Sequence, residues 1–169
     1  VFAFFESTGL YAYDMDGSLL WQKHFGDKQM FAEVGESGST PVLYGDRLVV
    51  VWDHQGESFI VALDVRTGGI VWQVRPGGPL RGAPTVVNDS VYVMSQDNQI
   101  YSLKESDGST NWSQAASLEI AGVFGSASPA VGQGTVVAGF SSGELNAYRY
   151  ENGRQVWQDT LMRTSIRTS

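Results

Sequence analysis

Short runs of alternating apolar and polar residues cover most of the chain, and Gly, Asn, Asp or Pro bound each run. Runs such as LYAYD at 10–14 and SVYVMSQ at 90–96 place an apolar side chain at about every second position. This spacing is typical of a β-strand with a face to bury. No long stretch shows the apolar spacing of an amphipathic helix. The pattern therefore predicts an all-β chain of short strands and tight turns.

One phrase, VALDVRTGGIVW at 61–72, recurs along the chain as an apolar run, a turn with a Gly, and a Trp four residues after that Gly. The successive Trp residues are separated by 51, 40 and 45 positions. That period fits the four-stranded blade of a β-propeller and is too long for leucine-rich or helical-pair repeats. The four pairs are Gly17 and Trp21, Gly68 and Trp72, Gly108 and Trp112, and Gly153 and Trp157.

Four repeat units follow from this pattern, at approximately 1–25, 40–75, 83–115 and 128–160. Each of the last three begins with a Pro, which is tolerated at the start of a strand. The first unit has only three predicted strands, so we expect it to lack its opening strand. The sequence thus predicts a single propeller or half-propeller of antiparallel blades, about four per chain.

The repeated Gly and Trp residues are expected to be structural. A turn Gly supplies a backbone angle that a Cβ would resist, and a Trp buries roughly 150 to 250 Å², so one indole per unit can fasten neighbouring blades. Asp16, Asp107 and Asn152 precede three of these glycines, where they favour turns more than catalysis.

Two segments fit no blade. Residues 26–38 form a long irregular stretch, which predicts either a connector between blades or a functional loop. The tail at 163–169 is too short for another blade. It either adds a strand to the first blade or frays.

Composition excludes several functions. A formal charge of −7 and a pI near 4.7 argue against a nucleic-acid partner, which needs clustered Lys and Arg. The chain has no Cys, so disulfides and thiolate metal sites are excluded. No apolar run approaches 18 residues, so we expect no direct insertion into a membrane and a signal peptide or lipid anchor that is absent or removed.

Only one cluster has metal-ligand types, with Asp53, His54 and Glu57 in the hairpin WDHQGE. An exposed charged hairpin tip explains it more simply, because spacing alone does not make a site. His24 is isolated, and no Ser, His and Asp arrangement or Gly-rich phosphate loop stands out. We therefore predict no catalytic, cofactor-binding or metal-binding residue, and no enzyme activity.

The segment ALDVRTGGIVW at 62–72 resembles the pyrroloquinoline-quinone-like propeller repeats, whose blade signature ends in ALD-xx-TG-xxx-W. The other three copies match it loosely. The resemblance implies a β-propeller. Related quinone dehydrogenases use a cofactor cavity, a calcium ion and a catalytic carboxylate, so a fragment of such a dehydrogenase is the alternative function; their adjacent-cysteine disulfide cannot exist here.

Within these repeats, residues 81–162 resemble the BamB family of outer-membrane assembly lipoproteins as found in alphaproteobacteria. Residues 1–75 resemble another branch of the same repeats, and the segment LYAYDMDGSLLW carries this likeness. The segments with these two different resemblances meet at about residues 76–81. This predicts either a recombined or engineered chain, or ordinary divergence between blades.

The BamB resemblance implies an eight-bladed ring, which two copies of this chain would complete as a homodimer. A closed four-bladed monomer is the alternative. The resemblance also implies a BamA-type barrel assembly partner, contacted through Leu118 and Ile120 in SLEIAG at 117–122. The basic residue expected after them is replaced by Ala121, and simple strand-edge packing also explains both apolar residues.

The leading functional hypothesis is a non-catalytic propeller scaffold for protein–protein interaction. By resemblance it is periplasmic or associated with the outer membrane, or it is an engineered propeller without a natural partner. The dehydrogenase fragment comes second. A small-ligand or sugar binder comes third, because no specific residue pattern supports it.

Overall fold

The computed structural model describes residues 1–5, 8–26, 39–53, 58–117 and 127–161. These ranges contain fifteen β-strands and no helix. The strands are β1 (Phe2–Phe5), β2 (Gly9–Tyr13), β3 (Leu19–Lys23), β4 (Val42–Tyr44), β5 (Arg47–Trp52), β6 (Phe59–Asp64), β7 (Ile70–Val74), β8 (Leu80–Val87), β9 (Ser90–Ser95), β10 (Gln99–Lys104), β11 (Thr110–Ala115), β12 (Ala130–Gly132), β13 (Thr135–Gly139), β14 (Glu144–Arg149) and β15 (Gln155–Thr160).

Consecutive strands pair antiparallel into four separate sheets, which we number as blades 1 to 4. Blade 1 has three strands, in the order β1-β2-β3. Blades 2, 3 and 4 have four strands each, in the orders β4-β5-β6-β7, β8-β9-β10-β11 and β12-β13-β14-β15. The opening strands β4, β8 and β12 contact one another in sequence order, so the blades fan out from them. The predicted all-β propeller architecture is confirmed.

Blade 1 lacks the strand that opens the other blades. In its register Ala12 faces Trp21, as Ala62 faces Trp72 in blade 2. Because β3 therefore corresponds to the outermost strand β7, β1 corresponds to the second strand β5, and nothing in the described ranges takes the place of β4.

The apolar core lies between consecutive blades rather than inside any one of them. Three clusters of buried side chains join blade 1 to 2, blade 2 to 3, and blade 3 to 4. In blade 2, Leu48–Trp52 is buried at every position. A strand covered on both faces needs no polar side, which explains the unbroken apolar run LVVVW.

Strand β8 begins at Leu80, three residues before the start expected at Ala83. Leu80 is fully buried in the cluster between blades 2 and 3. The register with β9 shifts between Arg81 and Thr85, around Gly82 with its positive φ of 69°. Buried packing therefore extends the strand past an irregularity that the sequence pattern takes as its boundary.

The two ends of each sheet carry different links. At the turn end lie the turns between first and second strands and between third and fourth strands, such as 65–69. At the connector end lie the hairpin between second and third strands, such as 96–98, and the connectors between blades. No helix in the described ranges is long and apolar enough to cross a membrane.

Candidate functional site

A repeated joint fastens each blade to the next at the turn end. We call the turn between the third and fourth strands of a blade its outer turn. The indole N–H of Trp72 in blade 2 donates a 2.6 Å hydrogen bond to the backbone oxygen of Glu105 in the outer turn of blade 3. Trp21 donates to the backbone oxygen of Val65 and Trp112 to that of Tyr150, both at 2.9 Å. Each acceptor lies three residues before a turn glycine. Each of the three indoles thus uses its single N–H donor in a hydrogen bond to the following blade.

The turn glycine of each joint lies directly beneath the indole of the preceding blade. A Cβ built on Gly108 would lie 2.7 Å from the Trp72 ring, and Gly108 has a φ of +73°. Gly68 and Gly153 have the same relation to Trp21 and Trp112. Glycine is therefore needed here for two independent reasons, its backbone angle and the space above it.

Acidic side chains near these glycines form turns. The Asp64 carboxylate accepts the backbone N–H groups of Arg66 and Thr67 at 3.0 Å, and hydrogen bonding from Thr67 foremost lowers its pKa. Hydrogen bonding from Ser109 likewise lowers the pKa of Asp107. These carboxylates are thus occupied by their own turns.

The joint is absent at both outer ends of the described blades. Trp157 of blade 4 is 43% exposed, whereas Trp72 and Trp112 are 6% and 8% exposed. In blade 1, Gly17 has a φ of +84° and an added Cβ would meet nothing within 4 Å. Blade 4 therefore presents an indole without a turn, and blade 1 presents a turn without an indole.

The outer turn of blade 1 is also one residue shorter than that of blade 2. The N–H of Asp14 donates to the oxygen of Ser18, whereas the N–H of Asp64 donates to that of Gly69, one residue further on. The free turn is therefore related to the other turns but not identical in shape.

At the connector end, Asn98 joins blade 3 to blade 4 and to the connector between them. Its Nδ2 donates to the backbone oxygen of Ser117 at 3.0 Å, and its Oδ1 accepts the N–H and hydroxyl of Ser141 at 3.2 and 2.7 Å. Asn98 is buried and has a φ of +57°, an angle that Asn tolerates better than most residues.

Glu144 in blade 4 holds the same serine from the other side. Its carboxylate accepts the Ser117 N–H at 3.0 Å and the Ser117 hydroxyl at 2.7 Å. These hydrogen bonds, with the one from the hydroxyl foremost, lower the pKa of Glu144. We call Asn98, Ser117 and Glu144 the connector clamp.

Asp53 is buried at the connector end of blade 2 and accepts a 2.9 Å hydrogen bond from the Ser58 hydroxyl. Burial lowers the pKa of Arg81 in blade 3, and the charge of Asp53 opposes this change. Asp53 therefore interacts with the neighbouring blade. His54 and Glu57, the other members of the predicted cluster, lie outside the described residues.

Nothing in the described ranges forms a group of three or more acidic or His side chains that could hold a metal ion. His24 packs edge-on against Tyr11, with ring centroids 6.2 Å apart. A shallow cleft between blades 3 and 4 is lined by residues that include Arg81, Asn98 and Ser141, but the last two already bond each other.

Comparison with known proteins covers most of the chain. Residues 6–169 match the family model described as outer membrane protein assembly factor BamB. The chain belongs to this family. A curated BamB from Yersinia pestis is 26% identical over 153 residues, which are 89% of this chain and 38% of that protein. The chain thus spans about two fifths of this relative's length.

Solved structures show the same fold. BamB from Moraxella catarrhalis matches 95% of this chain and 48% of its own, with a TM-score of 0.68 and 23% identity. A europium-containing methanol dehydrogenase matches 77% of this chain and 26% of its own, with a TM-score of 0.61 and 22% identity. At these identities the likeness establishes the propeller fold alone.

Several sequence-based predictions stay untested. The family match spans 76–81, and neither a recombined nor an engineered origin is tested by it, so both stay predictions. Leu118 and Ile120 lie outside the described residues, as do 27–38 and 162–169. The described residues nearest to Leu118 and Ile120 are Ser117 and Ala127, which lie at the connector end.

Sequence reasoning missed Asn98 and Glu144. One signal was available for Asn98: it follows the polar hairpin residues 95–97 and stands at the position that Gly143 occupies in blade 4. Both residues have a positive φ. Glu144 gave none, because its partner is 27 residues away.

Proposed function

We propose that this chain is a non-catalytic propeller scaffold that acts in the assembly of outer-membrane proteins on the periplasmic side of the outer membrane. The family match over residues 6–169 supports the assembly role. The described side chains support the scaffold role, because the Asp64 carboxylate bonds within its own turn and the indoles of Trp21, Trp72 and Trp112 each donate to the following blade.

The partner surface is the connector that begins at Ser117. A BamA-type barrel assembly protein would contact it through Leu118 and Ile120. The single observation that carries this assignment is the connector clamp, which fixes the residue directly before Leu118 by bonds to two different blades. Ser117 is thus fixed before binding, and a preorganised residue beside the partner surface reduces the entropy lost on association.

The test is the double variant Leu118→Asp/Ile120→Asp, assayed against a purified BamA-type protein in detergent and, separately, by thermal unfolding. We expect partner binding to be lost and the melting temperature to stay close to that of the parent chain. Leu20→Asp, on exposed strand β3, is the matched control and should bind normally. A large fall in melting temperature in the double variant would instead favour strand-edge packing.

We further propose that two copies of the chain complete one eight-bladed ring. In the single chain Trp157 is exposed and Gly17 is uncovered, so the joint between blades 4 and 1 that a closed four-bladed monomer requires is not made. Trp157 of one copy would instead cover the Gly17 turn of the other, and exposed Leu161 would be buried beside it.

Sedimentation equilibrium measures this assembly directly. We expect a mass near twice the 18.4 kDa of the chain, and a return to the monomer mass in Trp157→Ala. Ile70→Ala, a comparably exposed apolar residue on β7, should leave the dimer intact. A parent chain at 18.4 kDa at all concentrations would exclude the dimer.

The second candidate function is a fragment of a pyrroloquinoline-quinone-dependent dehydrogenase, favoured by the fold likeness to methanol dehydrogenase and to quinohemoprotein alcohol dehydrogenases. Titration with the quinone and calcium, followed by absorbance, tests it. Saturable binding at micromolar concentration would support this candidate against the scaffold.

A further inference from the structure

The polar groups of Ser117 are all occupied although its side chain is exposed. Its N–H and hydroxyl bond to Glu144, and its backbone oxygen bonds to Asn98. An exposed serine can bond to water instead, so such bonds add little net stability. Their main effect is to fix where the chain lies.

The same fold positions in blades 2 and 3 lack this arrangement. Counting from the joint tryptophans Trp72 and Trp112, Gly77 corresponds to Ser117 and therefore has no hydroxyl. Pro76 corresponds to Ala116, whose N–H donates to the oxygen of Asn98 at 2.9 Å; Pro has no N–H to donate. The earlier connector therefore cannot be held by these bonds.

The blade residues that form the clamp also differ from their counterparts. Glu144 in blade 4 corresponds to Gln99 in blade 3, which bonds within its own blade to Asp97 and Tyr101. Asn98 corresponds to Gly143, which keeps the backbone bond, from the N–H of Leu161 at 2.9 Å, but has no side chain. Within the described ranges, the side-chain clamp thus occurs only between blades 3 and 4.

We infer that Asn98 and Glu144 are positioning residues that hold the start of the partner-binding connector at Ser117. This inference rests on the proposed function, because the connector is the segment assigned to the BamA-type partner. The two side chains act through Ser117 and need not touch the partner. Their loss should weaken binding by releasing Ser117 from its fixed position next to the assigned partner residues.

Single variants separate positioning from folding. Asn98→Gly removes the side chain but suits the positive φ, and Glu144→Ala removes both acceptors. Each should weaken binding to the BamA-type protein by about tenfold, which corresponds to the loss of one or two hydrogen bonds, while thermal unfolding stays cooperative. Glu144→Gln keeps an oxygen that can accept from Ser117 and should restore part of the affinity.

Gln99→Ala is the matched control, because it removes a polar network at the corresponding position of blade 3 without touching Ser117. It should bind as the parent does. Parent-like binding by both Asn98→Gly and Glu144→Ala would overturn the inference, and so would an equal loss in Gln99→Ala, which would indicate a general packing effect.

The assay is run in parallel with Leu118→Asp/Ile120→Asp. If that variant loses binding and the clamp variants do not, the positioning role fails and the proposed partner surface stands. If that variant binds normally while the clamp variants lose binding, the assigned partner residues are wrong, and the clamp must then act on another contact. A parent chain that shows no binding overturns both.

Discussion

The turn end and the connector end of the blades both join one sheet to the next, but the turn end repeats one joint and the connector end does not. At the turn end one joint is used three times, with an indole over a glycine and one hydrogen bond to a backbone oxygen. At the connector end the links differ from blade to blade, and among the residues that the structure describes only the connector clamp ties a connector to two blades through side chains. We therefore expect the repeated end to supply more of the stability, and the proposed partner contact lies at the variable end.

The largest effect should come from removing one indole of the repeated joint. Trp72→Ala empties a site in the core between blades 2 and 3 and should lower the free energy of unfolding by about 3–5 kcal/mol. Trp157→Ala, measured at a concentration where the chain is monomeric, should cost less than about 1 kcal/mol because its indole is 43% exposed. Urea titration of both variants checks this, and equal losses would contradict the assigned roles.

A smaller but more specific loss is expected at the glycine of the joint. Gly108→Ala combines a backbone penalty with a clash against the Trp72 ring and should cost about 2–4 kcal/mol. Gly17→Ala has the same backbone penalty and open space around the new methyl group, so about 1 kcal/mol is expected. Urea titration of both variants checks this, and the difference between their free energies of unfolding reports the close contacts of the new methyl group with the Trp72 ring and Val74.

At the connector end, Asn98 should matter less for stability. Asn98→Ala loses the bonds to Ser117 and Ser141 and strains the positive φ, which should cost about 2 kcal/mol. Asn98→Gly keeps the backbone angle and should cost about 1 kcal/mol. A variant Asn98→Gly as unstable as Trp72→Ala would show that the connector end is also a main source of stability.

The smallest effect is the pH dependence of the clamp. Because folding lowers the pKa of Glu144 below its ordinary value near 4.5, its stabilisation is present above that value and is lost as the pH falls through the folded pKa. The melting temperature of the parent chain should therefore approach that of Glu144→Gln between pH 6 and pH 3. A constant difference across that range would show that the carboxylate charge contributes nothing.

The sequence predicted the repeated end well because its residues are close together in the chain. A Gly and a Trp four residues apart, in a run of alternating apolar residues, report the turn and outer strand of a blade directly. The three-stranded first sheet also followed from counting the three apolar runs within residues 1–25.

The connector end was poorly predicted because its contacts span blades. Asn98 and Glu144 meet Ser117 across 19 and 27 residues, and no local pattern marks a Ser or a Glu as such a partner. The early start of β8 at Leu80 had the same origin, since that residue is buried by a neighbouring blade and not by its own strand pattern.

The open joint at blade 4 has a practical consequence. Among the five indoles, Trp52, Trp72 and Trp112 are buried and Trp21 is half-buried, whereas Trp157 is 43% exposed, so Trp157 should dominate the long-wavelength part of the intrinsic fluorescence. Covering Trp157 would shift that emission to shorter wavelength and shield it from iodide quenching. The chain thus contains its own optical reporter of ring closure.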